Sequence, residues 1–432
     1  MIAATLLLLF IGLMLLGLPI AVAMGLSALV CIVWANFDSQ WFGMMAMPQN
    51  FYSAIAKYPL LALPMFVLVG SIFDRSGVAQ RMVNFAIACV GRGPGMLPTV
   101  AILVAMVLGG ISGSGPANAA AVGSVMIAAM SRAGYPPSFS ATVVGAAAAT
   151  DMLIPPSIAF VIYSVLVPGA SVPAMFAAGM IPGVLAGIAL IVPAILISRA
   201  QKFGAGEADL SRPPFWRSLR EASWGLAAPI LILGGMRMGW FTPTEAAVVA
   251  VAYGLFVGLV VYRSISWGDL YPIFREAAET SAVIMLILGA AGIFSYALNT
   301  LGVADPIAQW VQAAGLGSSG TLALVLVALL LVSMFIDGVS IFLIFIPIIY
   351  PIAIALKWDL VWFGVLLTLV VAKAQFTPPL AVNLMVSCRL AGVPIESTVR
   401  WVLWFIVSFL IMIAAVFFWP ELALWLPRKL GY

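Results

Sequence analysis

Two kinds of backbone interruption in this sequence carry chemistry that a continuous helix cannot offer. The first is the run Gly109-Gly110-Ile111-Ser112-Gly113-Ser114-Gly115-Pro116-Ala117-Asn118, flanked by apolar arms at 97–108 and 119–130. Each arm is too short to cross a bilayer alone, so the pair predicts a re-entrant helical hairpin. Its Gly/Ser/Pro tip must find partners in protein, water or bound ions. The second kind is a proline pair, in Asp151-Met152-Leu153-Ile154-Pro155-Pro156-Ser157 and in Gln375-Phe376-Thr377-Pro378-Pro379-Leu380. Adjacent prolines cancel two helical hydrogen bonds and free carbonyl oxygens in the preceding turn. Such oxygens suit a desolvated sodium ion. The helix that starts beyond each break offers unpaired N–H groups and partial positive charge to a carboxylate.

Ionised groups in apolar surroundings add a weaker signal, because burying charge in a membrane is expensive. Asp151 and Asp337 fall at breaks, where an ion or substrate environment and a helix cap are both open to them. Glu245, two residues after Pro243, reads as a first-turn carboxylate facing the helix dipole. Lys373 either neutralises a carboxylate or snorkels toward the interface. There is no histidine, which removes histidine proton relays and histidine metal sites. A phosphate-binding G-x-x-x-x-G-K-[ST] loop is absent too, so ATP does not power this chain. Cys31, Cys89 and Cys388 lie in apolar segments without C-x-x-C spacing and read as small buried residues.

The elements that must position these groups follow from composition. Of 432 residues 64% are hydrophobic and 8% charged, with mean hydropathy +1.18, which excludes a soluble globular domain. About a dozen apolar stretches of membrane-crossing character predict an all-α polytopic membrane protein. Long runs such as 322–334 and 401–419 rule out the alternating short strands of a barrel. Residues 1–37 lack the basic start and short apolar core of a secretory signal; they read as a retained helix, broken near Gly17-Leu18-Pro19 and followed by another. Between Arg199 and Arg220 five basic residues oppose Glu207 and Asp209, which marks a cytoplasmic loop, with Arg263 and Arg275 on the same side.

The chain also repeats itself. Pro19 and Pro243 are 224 residues apart, Gly77-Val78-Ala79 and Gly302-Val303-Ala304 225, Gly91 and Gly315 224, and the proline pairs 223. Two copies of one unit are therefore joined through the charged loop, and the second hairpin tip falls at Met334–Ser340. Paired repeats with broken helices are how secondary transporters place a substrate near the midplane, and an inverted relation lets the breaks of both halves meet there.

The ordered set Leu18-Pro19-Ile20-Ala21, Leu63-Pro64-Met65-Phe66, Ser112-Gly113-Ser114-Gly115, Ile154-Pro155-Pro156-Ser157, Thr242-Pro243-Thr244-Glu245-Ala246 and Thr377-Pro378-Pro379 resembles the large permease subunit of TRAP transporters, the DctM-like branch of the ion-transporter superfamily. The resemblance extends over essentially the whole chain. It implies a scaffold and an elevator-type transport part, divided as 1–96 (scaffold, repeat 1), 97–167 (hairpin and broken helix), 168–220 (linking helix and loop), 221–316 (scaffold, repeat 2), 317–390 (second hairpin and broken helix) and 391–432 (C-terminal helix). It implies one sodium site from Ser112, Gly113, Ser114, Asp151, Ile154 and Pro155, and a second from Asp337, Gly338, Phe376, Thr377 and Pro378. It places a substrate carboxylate near Ser114, Asn118, Ser157, Ser340 and Asn383. No cofactor and no transition metal is implied, only Na+ as coupling ion. The implied partners are a separate small four-helix membrane subunit, a periplasmic substrate-binding protein, an organic acid and membrane lipid. The setting implied is the bacterial inner membrane, and the role is transport, not enzymatic. Asp337 stands where the first tip has a Gly/Ser run, so the two ion sites need not be equal in affinity. A stand-alone sodium/dicarboxylate symporter would share these features without a binding protein. An intramembrane enzyme would lack a base for its serine, and a channel fits the two hairpins less well.

Overall fold

In the computed structural model the described residues are 2–35, 40–91, 93–209, 212–303, 315–336 and 338–432. Asp337 and Ala304 lie outside them. Nineteen helices and no strand are found among the described residues. The first copy runs α1 (Ile2–Leu15), α2 (Ile20–Ala35), α3 (Gln40–Ile55), α4 (Ala62–Arg75), α5 (Val78–Cys89), α6 (Met96–Ser112), α7 (Gly115–Arg132), α8 (Pro137–Ala148), α9 (Ile158–Leu166) and α10 (Val172–Ala200). The second runs α11 (Phe215–Arg237), α12 (Pro243–Phe256), α13 (Leu270–Thr300), α14 (Gly317–Val332), α15 (Gly338–Ala355), α16 (Leu360–Ala374), α17 (Val382–Ala391) and α18 (Val399–Phe418), followed by α19 (Glu421–Leu430). The first helix does end at the glycine-proline break: Gly17 turns the chain at φ 84° and α2 packs back on α1.

The repeat is visible in the helix starts. Gly115 and Gly338, which open α7 and α15, are 223 residues apart, as are Pro137 and Leu360, which open α8 and α16. Among the described residues, five helices are long and apolar enough to cross a membrane and seven apolar helices are shorter. The shorter ones include the arms α6, α14 and α15 and the half-helices α16 and α17. A re-entrant arm turns back before it crosses, and a half-helix is one part of a broken element, so neither needs the length of a full span.

The two hairpins enter from opposite sides. Hairpin 1 (α6–α7) has its base at the C-terminal end of α10: Gly206 N donates to Ala133 O, and Leu97 N to Glu207, just beyond α10. Hairpin 2 (α14–α15) has its base at the N-terminal end of α10, where Tyr350 OH donates to Pro168 O. The 29 residues of α10 make a rod roughly 43 Å long. The two bases are therefore a membrane apart, and the repeats are inverted.

Packing sorts the helices into two groups. Helices α2, α3 and α4 pack on α13, with α12 on α4, while α6, α7 and α17 enclose α8. The capping box at the start of α12 fits the dipole reading of Glu245: Thr242 N donates to its Oε2 at 2.8 Å, and Glu245 N donates to Thr242 Oγ1. Cys31 and Cys388 are buried, but Cys89 is exposed, because the short α5 buries Val78, Met82 and Val83 and turns its last residue outward.

Candidate functional site

The first tip is shorter than the Gly/Ser run suggests. α6 continues through Gly109 and Gly110 to Ser112, Gly113 turns at φ 61°, and α7 restarts at Gly115 with Asn118 in its first turn. Only Ser112, Gly113 and Ser114 make the tip. Gly109 and Gly110 serve close approach instead of breaking the helix. A Cβ on Gly109 would lie 2.7 Å from Asp151 Cα, and one on Gly110 3.0 Å from Pro155 O. The hairpin thus presses backbone to backbone against the first proline break, and only glycine allows it. In the second copy α14 ends at Val332 and α15 begins at Gly338, whose Cβ would meet Val371 Cγ1 at 2.4 Å and Gln375 Nε2 at 3.1 Å.

Both breaks lie where the proline pairs require them. Beyond α8 the chain makes one short turn, Ala149–Met152, bends through Leu153 to Pro156 and restarts at Ile158. Ser157 caps α9, accepting from Phe160 N, and its hydroxyl donates to Met152 O at 2.7 Å. Beyond α16 the chain turns through Gln375–Thr377 and reaches Ala381 at φ 39° before α17. The peptide bond within each proline pair is cis. Thr377 Oγ1 donates to Lys373 O at 2.7 Å, and Leu380 N to Met334 O in the facing tip. Asn383 N donates to Gln375 O across the break at 3.0 Å. Phe376 is buried edge-on against Phe409.

The two halves meet at these places. A Cβ on Gly115, at the first tip, would lie 2.6 Å from Asn383 Oδ1 at the second break. Beside this contact is a cavity of about 270 Å³, lined by Ser112, Gly113, Ser114, Gln375 and Val382 on one side. Gly70, Ser71 and Asp74 of α4 and Glu276 and Thr280 of α13 line the other. Around it are buried polar atoms without a hydrogen-bond partner among the described residues: Ser112 Oγ, Asn118 Oδ1, both carboxylate oxygens of Asp151, Gln375 Oε1, and both amide atoms of Asn383. Unpaired buried polar atoms are rare and costly, and their collection in one place marks a site that pairs them with something else. Oxygen donors dominate the set, as a hard cation requires.

Of the five residues assigned to the substrate, only Ser114 lines the cavity. Asn118 is fully buried, bracing the two arms of hairpin 1 through Nδ2 to Ala105 O at 2.9 Å; Ser157, Ser340 and Asn383 are also buried. Among the ion-site residues, Ile154 and Pro155 lie against the last turn of α6, Asp151 is 0% exposed, and Asp337 is not among the described residues. Lys373 neither snorkels nor, among the described residues, meets a carboxylate. Its ammonium donates to Leu330 O at 3.0 Å, in the last turn of α14, where the helix dipole is negative. Gln375 was not singled out from sequence; its place two residues before Thr377, in the one break that carries an amide, was the available signal. Gly70 was missed as well: a Cβ there would lie 2.7 Å from Ser112 O, so α4 presses on the tip.

The base of hairpin 1 is anchored outside the membrane. Glu207 accepts from Tyr135 OH and from Leu97 N, while Tyr135 OH accepts from Gly95 N at 2.7 Å. Burial raises the Glu207 carboxyl above its ordinary range, against the opposing hydrogen bond from Tyr135. Burial, reinforced by the bond to Glu207, likewise raises the Tyr135 phenol.

Comparison with known proteins agrees with this architecture. Residues 7–422 match the family model described as the tripartite ATP-independent periplasmic transporter, DctM component. The chain is 37% identical to the C4-dicarboxylate TRAP transporter large permease protein DctM of Pseudomonas aeruginosa, over 95% of this chain and 94% of that one. It is 32% identical to the sialic acid TRAP transporter large permease protein SiaM of Vibrio cholerae, over 98% of each. It is 35% identical to the isethionate TRAP transporter permease protein DctMQ of Oleidesulfovibrio alaskensis, over 90% of this chain and 60% of that longer one. The solved structure of the Alcanivorax borkumensis YdaH transporter superposes with a TM-score of 0.62 at 15% identity, covering 96% of this chain and 98% of that one, a likeness of fold. With inverted hairpins, paired breaks and a family match over nearly its whole length, this chain belongs to the large membrane subunits of TRAP transporters.

Proposed function

We propose that this subunit carries an organic acid into the cell by sodium symport across the inner membrane, taking it from a periplasmic binding protein and working with a small four-helix membrane subunit. The observation that carries the reading is the meeting of the first hairpin tip with both proline breaks at a 270 Å³ cavity, where Ser112 Oγ and Gln375 Oε1 are buried without a partner among the described residues. That volume is near the lower end of the roughly 300–1,000 Å³ usual for small-molecule sites and suits a small carboxylate. Ser112, Gly113, Ser114 and Asp151, with the carbonyls of Ile154 and Pro155, hold one sodium ion. Gly338, Phe376, Thr377 and Pro378, with Asp337, hold the second. The substrate carboxylate binds at Ser114 and reaches Asn118, Ser157, Ser340 and Asn383 when the tips rearrange. Residues 97–167 and 317–390 move as one block along the scaffold of 1–96 and 221–316, in an elevator motion. Relatives named for C4-dicarboxylate, sialic acid and isethionate support an organic acid as the substrate.

The test is uptake into proteoliposomes holding this chain and its small subunit, with and without an inward sodium gradient and with and without the binding protein. Uptake that requires both supports the reading. Sodium-driven uptake indifferent to the binding protein makes it a stand-alone symporter, and uptake indifferent to sodium removes the ion assignments.

A further inference from the structure

On the outer face of the helices that flank the site, α5, the start of α11 and the end of α12 enclose a groove of about 780 Å³. Its walls carry three guanidinium groups, Arg81, Arg217 and Arg220, against one carboxylate, Glu221. That carboxylate is already engaged by Arg217 at 2.9 Å. Arg81 is held in place: it donates to Gly77 O at 2.9 Å and lies 3.8 Å above the ring of Tyr262, whose own hydroxyl donates to Glu221 O. The Arg220 guanidinium has no hydrogen bond or ion pair among the described residues; only its backbone carbonyl accepts, from Ser223 Oγ. One fixed and one free guanidinium thus face the same space with positive charge to spare.

The groove does not end in water alone. Trp224 forms part of its wall and packs on Phe256 with ring centroids 6.0 Å apart. Phe256 and Val260 of the same helix end are 45% and 56% exposed, an apolar strip running from the basic groove along a membrane-crossing helix. The excess of basic residues at 199–220 and at Arg263 and Arg275 puts this end of the protein in the cytoplasm. Basic pockets at that level meet the anionic lipids of the inner leaflet, and arginine pairs phosphate with two parallel hydrogen bonds. We propose that this groove binds the phosphate headgroup of an anionic phospholipid, held by Arg81 and Arg220, with its acyl chains along Trp224, Phe256 and Val260. This assignment is independent of the substrate and of sodium coupling.

The test is native mass spectrometry of the purified full chain, titrated with cardiolipin, phosphatidylcholine or inorganic phosphate. Wild type is expected to retain cardiolipin in preference to phosphatidylcholine. Arg81→Gln/Arg220→Gln is expected to weaken that retention about thirtyfold, on the scale of two juxtamembrane charges. Arg220→Gln alone, which breaks no side-chain hydrogen bond or ion pair among the described residues, should give part of the loss with unchanged thermal stability, and Arg428→Gln should give none. Equal retention of the two lipids, or unchanged cardiolipin retention in both groove variants, overturns the proposal. Displacement of cardiolipin by millimolar inorganic phosphate would mean a free-anion site and overturns the lipid assignment. Loss of bound cardiolipin when the small membrane subunit is added would mean that protein covers the groove, and overturns it equally.

Discussion

Asp151 is 0% exposed and has no cationic side chain beside it among the described residues, and a carboxylate so buried is tolerable only with an added cation or a proton. Asp151→Asn keeps the shape and removes the charge. Half-saturating sodium for uptake should then rise about tenfold, equivalent to ~1.4 kcal/mol of binding, while expression stays level. An unchanged sodium curve would take Asp151 out of the cation environment. Asn383 presents the same logic for the substrate, since neither amide atom is paired although the side chain is fully buried. Asn383→Ala breaks no side-chain hydrogen bond, so it should raise the KM for uptake more than it lowers the melting temperature. A large stability loss with unaltered KM would make it a packing residue. Asp151 could be found from sequence because charge is conspicuous in an apolar run. Gln375 carried only the weaker mark of being an amide within a break, and Gly70 carried none, since one glycine among 39 looks like any other until a neighbour is seen against it.

At the scale of elements, hairpin 1 is fixed at both ends by contacts far apart in sequence. Near the tip, Gly109 admits the backbone of Asp151; Gly109→Val should overpack that contact and destabilise the protein by about 1–3 kcal/mol. Gly12→Ala, with nothing within 4 Å of its added carbon, should not shift the thermal midpoint downward. At the base, Glu207→Ala leaves Tyr135 OH and Leu97 N–H without their acceptor, a loss of about 1–3 kcal/mol that thermal unfolding can measure. The same carboxyl gives a pH prediction. Its folded pKa is raised above the ordinary 4.5, so the folded state holds the proton more tightly than the unfolded chain. Its contribution to stability is full below about pH 4.5 and declines as pH rises through the raised value. Wild type should therefore lose relative stability across that window more steeply than Glu207→Gln, and parallel profiles would refute the assignment. Proline pairs and the hairpin arms were legible because missing donors and short apolar runs act locally. The tip was drawn too long because a glycine that permits close packing looks, in sequence, the same as one that ends a helix.

For the whole molecule, the near-constant 223–225 residue offsets made the duplication readable in advance. The inversion, by contrast, depends on which end of α10 each hairpin base meets, a fact that no spacing contains. The same geometry explains why the cavity is shared. Hairpin 1 of one half brings Gly115 to Asn383 in the broken helix of the other, so neither copy owns the site. The account therefore stands or falls on the tips acting together. The most direct measurement is sodium-driven substrate uptake, with the binding protein and small subunit present, by wild type, Gly113→Val and Gly338→Val inserted at equal levels. Gly113 needs the left-handed φ of 61° that a β-branched residue resists, and a Cβ on Gly338 collides with Val371. Loss of uptake in both variants, with membrane insertion intact, is the predicted result. Wild-type uptake by either one would contradict the placement of the transport site between the two tips.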